Sequence, residues 1–189
     1  DDVEKNGGQA ILTNNNHKTG TDRIFEALKR LRKKDIELVM NLQGDEPLMN
    51  IKDIRNLHAK MINSNSEIGT LASTINNKDL YNQLNVVKVE TKESLDKLKF
   101  PEAINFKREF NQMNKNIYHH LGIYCYKLNT LEKFVSFEQS SNEIEYKLEQ
   151  LRALDNHIKI NVALAESSPI GVDTEEDFVA IKKIMEYKS

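Results

Sequence analysis

Leu42-Gln43-Gly44-Asp45-Glu46-Pro47 follows closely on the apolar run Leu38-Val39-Met40. An apolar run that ends in a glycine turn with two acids puts carboxylates just past the end of a buried strand. Ligands of open α/β sheets bind beyond the carboxyl ends of the strands. Hard cations such as Mg²⁺ take carboxylate oxygens and share their sites with substrate phosphates. Asp45 and Glu46 therefore read as metal ligands, or else as a solvated turn closed by side-chain hydrogen bonds. A second acidic stretch, Gly171-Val172-Asp173-Thr174-Glu175-Glu176-Asp177, opens a helix. Either Asp173 caps that helix with Glu176, or Thr174 caps it with Asp177 and Asp173 is free to face a metal.

Side chains alternate across a strand. In Tyr118-His119-His120-Leu121-Gly122-Ile123-Tyr124 the two histidines must then face opposite ways and cannot form one zinc pair. His120, Gly122 and Tyr124 share a face, with space over the glycine for a polar ligand. The alternative is a His and a Tyr satisfied in an interior network. Thr19-Gly20-Thr21-Asp22-Arg23 opens a helix whose amides and hydroxyls suit an anion or a polar base, or form an ordinary N-cap. Glu149 and Gln150 fall in a helical pattern whose apolar side is Ile144, Leu148 and Leu151. Adjacent polar residues on such a helix ordinarily face solvent. No Ser-His-Asp, zinc or Gly-rich phosphate motif can be assembled from the remainder.

The elements that must position these residues follow from periodicity. Short strands are expected at Ala10–Thr13, Glu37–Gln43, Ile68–Ile75, Asn85–Thr91, Ile117–Leu128 and Lys159–Ala165. Helices are expected over Thr21–Lys34, Ile51–Asn63, Leu131–Phe137, Glu143–Leu154 and from Thr174 onward, the last burying Phe178, Ile181 and Met185. Alternating strands and helices predict an α/β fold with a mostly parallel sheet. The charged stretch from Lys92 to Asn114 has weak periodicity and reads as an antiparallel excursion.

The 189 residues suffice for one domain. A net charge of −2 and the absence of Trp argue against a nucleic-acid surface. No run approaches a membrane span, so no membrane partner is expected. Cys125 is the only cysteine, which fits a reducing compartment and a small core residue.

In order along the chain, Lys18-Thr19-Gly20-Thr21-Asp22-Arg23, Asn41-Leu42-Gln43-Gly44-Asp45-Glu46-Pro47, His120-Leu121-Gly122-Ile123-Tyr124, Leu148-Glu149-Gln150-Leu151-Arg152 and Gly171-Val172-Asp173-Thr174 resemble the 3-deoxy-manno-octulosonate cytidylyltransferases. The resemblance covers Gly7 to the C-terminus. It implies a three-layer α/β/α nucleotidyltransferase fold, Rossmann-like, as in nucleotide-diphospho-sugar transferases. The whole chain would be one cytidylyltransferase domain, with 92–128 as an excursion and dimerisation region.

The family activates the eight-carbon acid sugar Kdo in the bacterial cytoplasm for lipopolysaccharide synthesis. The sugar's anomeric hydroxyl attacks the α-phosphate of CTP, giving CMP-Kdo and pyrophosphate. By the resemblance, Asp45 and Asp173 hold Mg²⁺ and are catalytic, and Gln43, His120, Tyr124, Glu149 and Gln150 meet the sugar. Thr21 and Arg23 lie on the nucleotide side, and the protein is a homodimer.

The sequence departs from the family in two places. The family's opening strand and its Ile-Pro-Ala-Arg loop, which grips the CTP phosphates, have no counterpart here, so the first strands of the fold are expected to be missing. Pro101 stands where the family has an Arg for its acidic substrate. We therefore expect the 189-residue chain alone to be inactive; pyrophosphate release from CTP and Kdo by it would contradict this. A non-catalytic remnant, or a synthetase for an amino-Kdo or sialic-acid substrate, are the alternative readings.

Overall fold

The computed structural model describes residues 2–44, 47–76, 78–110, 115–167, 172 and 175–186. Asp45, Glu46, Asp173 and Thr174 lie outside the described residues. After a short helix α1 (Asp2–Lys5) come α2 (Gly20–Leu31), β1 (Leu38–Asn41), α3 (Ile51–Ile62), β2 (Ile68–Ser73), α4 (Lys78–Asn82), β3 (Lys88–Thr91) and β4 (Ala103–Lys107). They are followed by β5 (Ile117–Lys127), α5 (Leu128–Ser136), α6 (Ser141–Tyr146), α7 (Leu151–Asp155), β6 (Ile160–Leu164) and α8 (Glu175–Glu186).

One sheet runs in the order β4-β3-β5-β2-β6, with β1 also on β5. The expectation of a mostly parallel sheet is corrected. Among the described strands only β2 and β6 pair in parallel, while β5 is antiparallel to β1, β2 and β3. The excursion is the reason: it returns β5 through the middle of the sheet instead of adding a strand at its edge. Eleven residues make β5 long enough to serve two partners along one edge. Ile117–His119 pair with β3 and Tyr124–Lys127 pair with β1. The His120 N–H still donates to the Val87 carbonyl (3.0 Å), and between that bond and Tyr124 the sheet is notched at 121–123.

On the opposite edge β2 accompanies β5 through an irregularity, where Thr70 faces Tyr124 but Leu71 faces Leu121. The slip amounts to two extra residues on β5, and two residues preserve the alternation of faces. Tyr118, Tyr124 and Tyr126 therefore enter one core cluster, with Phe134 of α5, Leu148 and Leu151. Leu121, Ile123 and Cys125 enter the other, with Leu57 and Met61 of α3. These two cores, one on each face, make the three layers. Burial pushes the Cys125 thiol up to about 11, so it behaves as a small apolar residue.

Three further expectations are corrected. Ala10–Thr13 is not a strand: Leu12 is 88% exposed, and the segment is held against α2 by Arg30 donating to the Leu12 carbonyl and Arg23 to the Thr13 hydroxyl. The helix expected over Glu143–Leu154 is two short helices, because Lys147 adopts φ 52° and turns the chain so that Leu148 enters the core. Ile144, read as part of the buried side, is exposed as a result. On α8 Ile181 is buried, while Phe178 and Met185 are half exposed. The stretch from Lys92 to Asn114, read as an antiparallel excursion, contains β4, which pairs antiparallel with β3, and a strap over the outer edge of β6. There the Pro101 carbonyl accepts the Val162 N–H (2.8 Å) and the Phe100 carbonyl accepts the Asn161 amide (2.7 Å). Proline suits this place, since it blunts an edge and only its carbonyl is needed.

Candidate active site

Three elements converge on the notch in β5. Helix α2 begins at Thr19, an N-cap whose hydroxyl accepts the Asp22 N–H (3.4 Å) and donates to the Asp22 carboxylate (2.8 Å). That cap points the first turn, Gly20-Thr21, at the end of β1. Thr21 is buried, within 3.3 Å of the Tyr126 hydroxyl and 3.5 Å of the Asn41 amide. Asn41 in turn accepts from the Gln43 amide (3.2 Å).

Gln43 fills the gap between two glycines. A Cβ built on Gly20 would lie 3.5 Å from its Nε2, and one built on Gly122 would meet only its Cγ, at 3.8 Å. Among the described residues, the chain neighbours of Gly122 apart, nothing else lies within 4 Å of that position. Gln43 therefore packs over Gly122 at ordinary van der Waals distance from where a Cβ would sit, and it is the side chain that the space expected there contains.

Glu149 and Gln150 are not on an exposed helix face. They occupy the turn between α6 and α7, where Gln150 is the N-cap of α7 and is buried. Burial raises the pKa of Glu149, while the nearby Thr21 and Thr19 hydroxyls and the Arg152 charge pull it down. Those hydroxyls lie close enough to influence the carboxylate, yet Glu149 Oε1 makes no hydrogen bond of good geometry. A buried carboxylate oxygen without a partner is costly to a fold and is the kind of group a ligand hydroxyl satisfies. Tyr124 stands beside it, its phenol pushed well above the ordinary value first by burial, then by the neighbouring Tyr126 and Glu149. Thr21, Gln43, Tyr124 and Glu149, from four separate stretches of sequence, thus come together, and Gln150 follows Glu149 in the chain.

His120 and Arg23 are placed differently. His120 is buried beneath the notch, 3.0 Å from Thr70 Oγ1 and edge-on to Phe106. Thr70 gives its one proton to the Ile123 carbonyl at 2.7 Å, so the imidazole must donate from Nε2. The interior-network alternative describes this contact. Arg23 is on the outer side of α2, donating to Thr13 Oγ1 (2.6 Å) and to the Asn14 carbonyl (3.1 Å).

Burial, with a smaller contribution from His119, lowers the His120 pKa from 6.5 to about 3. Between those values the folded protein binds fewer protons than the unfolded chain. The stability contributed by neutral His120 is full above pH 6.5, declines as pH falls, and is gone once pH has passed through about 3. His120→Gln is expected to flatten the fall in unfolding free energy across that window, measured by urea titration at several pH values.

Gly44 and Val172, which immediately precede Asp45 and Asp173, line one cavity of about 710 Å³ with Pro47 and the α8 residues Phe178, Ile181 and Met185. Among the described residues no cluster of three or more His, Cys, Asp or Glu side chains could hold a metal ion. None of the described helices is long and apolar enough to cross a membrane.

The cytidylyltransferase family model matches residues 1–160. A 3-deoxy-manno-octulosonate cytidylyltransferase from Bartonella tribocorum is 39% identical over 97% of this chain and 75% of its own length. The chain belongs to this cytidylyltransferase family. A relative of the same name from Thermodesulfovibrio yellowstonii is 42% identical over 97% of this chain and 76% of its own length. Among solved structures, a CMP:2-keto-3-deoxy-manno-octonic acid synthetase complexed with CTP superposes with a TM-score of 0.85. It shares 27% identity over 99% of this chain and 76% of that one. The mixed sheet with helices on both faces is therefore the nucleotidyltransferase fold of a transferase.

Two features of the site escaped sequence reading. Arg152, in the same pentad as Glu149 and Gln150, is 1% exposed and joined to Asp22 and Glu143. Asn41 is buried and hydrogen bonds to both Thr21 and Gln43. A polar residue ending an apolar strand was the available signal for Asn41.

Proposed function

We propose that the notch between β1 and β3 is the sugar subsite of an enzyme that transfers CMP from CTP to the anomeric hydroxyl of Kdo. In this transfer the sugar oxygen bonds to the α-phosphorus as its bond to pyrophosphate breaks. The observation that carries the reading is Glu149 Oε1, buried and without a hydrogen-bond partner among the described residues, near the Thr19 and Thr21 hydroxyls and Tyr124, with Gln150 next to it in the chain and Gln43 packed between Gly20 and Gly122. A polyhydroxylated acid has hydroxyls to donate to that oxygen and acceptors for the two amides. Tyr124 and the underlying His120 form the floor, and Thr21 opens the helix on the nucleotide side. Arg23 would meet the nucleotide only after releasing Thr13 and Asn14. The chain's residues thus bind and orient two polar reactants and keep water from the reacting oxygen, which is most of what an in-line displacement at phosphorus requires.

Asp45 and Asp173 suit Mg²⁺ by the chemistry of their donor oxygens, and the residues preceding them line one cavity. The ion, when bound, supplies positive charge to phosphate oxygens. We read the whole chain as one cytidylyltransferase domain acting in the cytoplasm, where CTP is made. We read 92–128 as the region that pairs two copies. The edge strand β4 lies within it and exposes Ile104 at 51%. Sedimentation at micromolar concentration is expected to give a dimer.

Calorimetry with CTP and Mg²⁺ present tests the sugar reading. Kdo is expected to bind, and a sialic acid is not. Kdo binding that survives unchanged in Glu149→Gln would contradict it. The same variant has a second expected effect, opposite in sign. An acid whose pKa is raised on folding favours the folded state below its unfolded value, and that contribution is lost as pH rises through the folded value. At neutral pH the Glu149 carboxylate therefore costs stability, and Glu149→Gln is expected to melt higher than the parent while binding the sugar less tightly.

A further inference from the structure

Arg152 has no role in the chemistry described so far, yet it is among the most completely buried side chains of the molecule. Its Nε donates to Glu143 Oε2 (2.7 Å) and its Nη2 to Glu143 Oε1 (2.6 Å), a two-pronged pair. Nη1 reaches Asp22 Oδ1 at 3.2 Å, and the guanidinium stacks 4.6 Å from the Phe134 ring centre. Both carboxylates are already engaged in starting helices. Glu143 closes the capping box of α6 with Ser140, and Asp22 accepts the Thr19 hydroxyl that caps α2. The Arg152 backbone N–H meanwhile donates to the Glu149 carbonyl (3.1 Å).

We propose that Arg152 is a positioning residue for the sugar subsite: one guanidinium ties the first turn of α2 to the cap of α6 and thereby sets how Glu149 and Gln150 face Thr19 and Thr21. The proposal rests on reading the notch as that subsite. The charge matters as well as the geometry. Groups facing Glu149 are the Thr19 and Thr21 hydroxyls and Asp22 from α2, Tyr124 and Tyr126 from β5, and Arg152 from α7. Of these Arg152 is the only cation, while burial and Asp22 both oppose ionisation of Glu149. Without it, three carboxylates (Asp22, Glu143 and Glu149) share one poorly solvated region. Glu149 then takes up a proton at higher pH and loses an acceptor oxygen facing the sugar.

The test reads the titration of the Glu149 carboxyl carbon by NMR without ligand, and Kdo affinity by calorimetry, in the same proteins. Arg152→Gln removes the charge. Because it can also destabilise the fold, Glu143→Gln/Arg152→Met serves beside it as a neutral pair of similar volume. In both, the Glu149 midpoint is expected to move to higher pH and Kdo binding to weaken by about tenfold or more. Arg152→Lys keeps the charge without the fork and is expected to hold the midpoint near the parent's. A folded Arg152→Gln or double variant with an unmoved midpoint and parental affinity overturns the proposal. Failure of the parent to bind Kdo overturns the subsite reading instead, and the ligand-free titration separates the two.

Discussion

Replacing Asp45 by alanine is expected to lower CMP transfer by about a thousandfold or more, the scale of losing a principal stabiliser of transition-state charge. The assay is pyrophosphate release in an enzyme that carries the family's phosphate-gripping loop ahead of this chain. Near-parental turnover would remove Asp45 from the proposed metal pair. The fold should be unaffected. Its neighbours Gly44 and Pro47 are exposed, and the core clusters are built from β2 to β6 and the helices over them. Circular dichroism and a melting curve on the same sample separate loss of chemistry from loss of structure.

Glu143→Ala is expected to have the largest effect on stability. Glu143 is 3% exposed and accepts two hydrogen bonds from a guanidinium that is 1% exposed. Burial by itself works against the charge on Arg152, and the Glu143 and Asp22 carboxylates outweigh it, holding the pKa above the ordinary range. A guanidinium is too basic to lose its proton when Glu143 is removed, so Arg152 stays charged with Asp22, at 3.2 Å, as its remaining carboxylate among the described residues. Breaking a buried pair from one side costs about 3–5 kcal/mol. The half of the α6 capping box in which Glu143 accepts the Ser140 N–H goes with it, while the Ser140 hydroxyl keeps the backbone N–H of residue 143. Urea unfolding would show this as a lower midpoint with an unchanged slope, and a loss below about 1 kcal/mol would mean that Arg152 finds solvent or another acceptor.

The parts of the site that were legible in the sequence are those set by local rules. Thr19 and Asp22 announce a helix start by type and spacing. The alternation through His120, Gly122 and Tyr124 puts them on one face whatever the strand pairs with, because the β5 irregularity slips by two residues. Long-range partner choice was not legible. Glu149 and Gln150 looked solvent-facing because the periodicity of Ile144, Leu148 and Leu151 continues across Lys147, where the backbone turns left-handed. Arg152 meets Asp22 across 130 positions of sequence, which no local pattern encodes. The sheet's direction was misread for a similar reason. Alternation of strands and helices predicts parallel neighbours only while each strand joins the edge of the growing sheet, and β5 enters at the middle. Phe178 and Met185 have the spacing of a buried stripe, yet they border the cavity beside Pro47.

The measurement that bears most directly on the account is a crystal structure of the protein with Kdo and CTP bound. The account predicts the sugar over Gly122, with a hydroxyl within hydrogen-bond distance of Glu149 Oε1 and the Gln43 and Gln150 amides on its other polar groups. A sugar bound away from the notch, with Glu149 Oε1 still unpartnered, would contradict it.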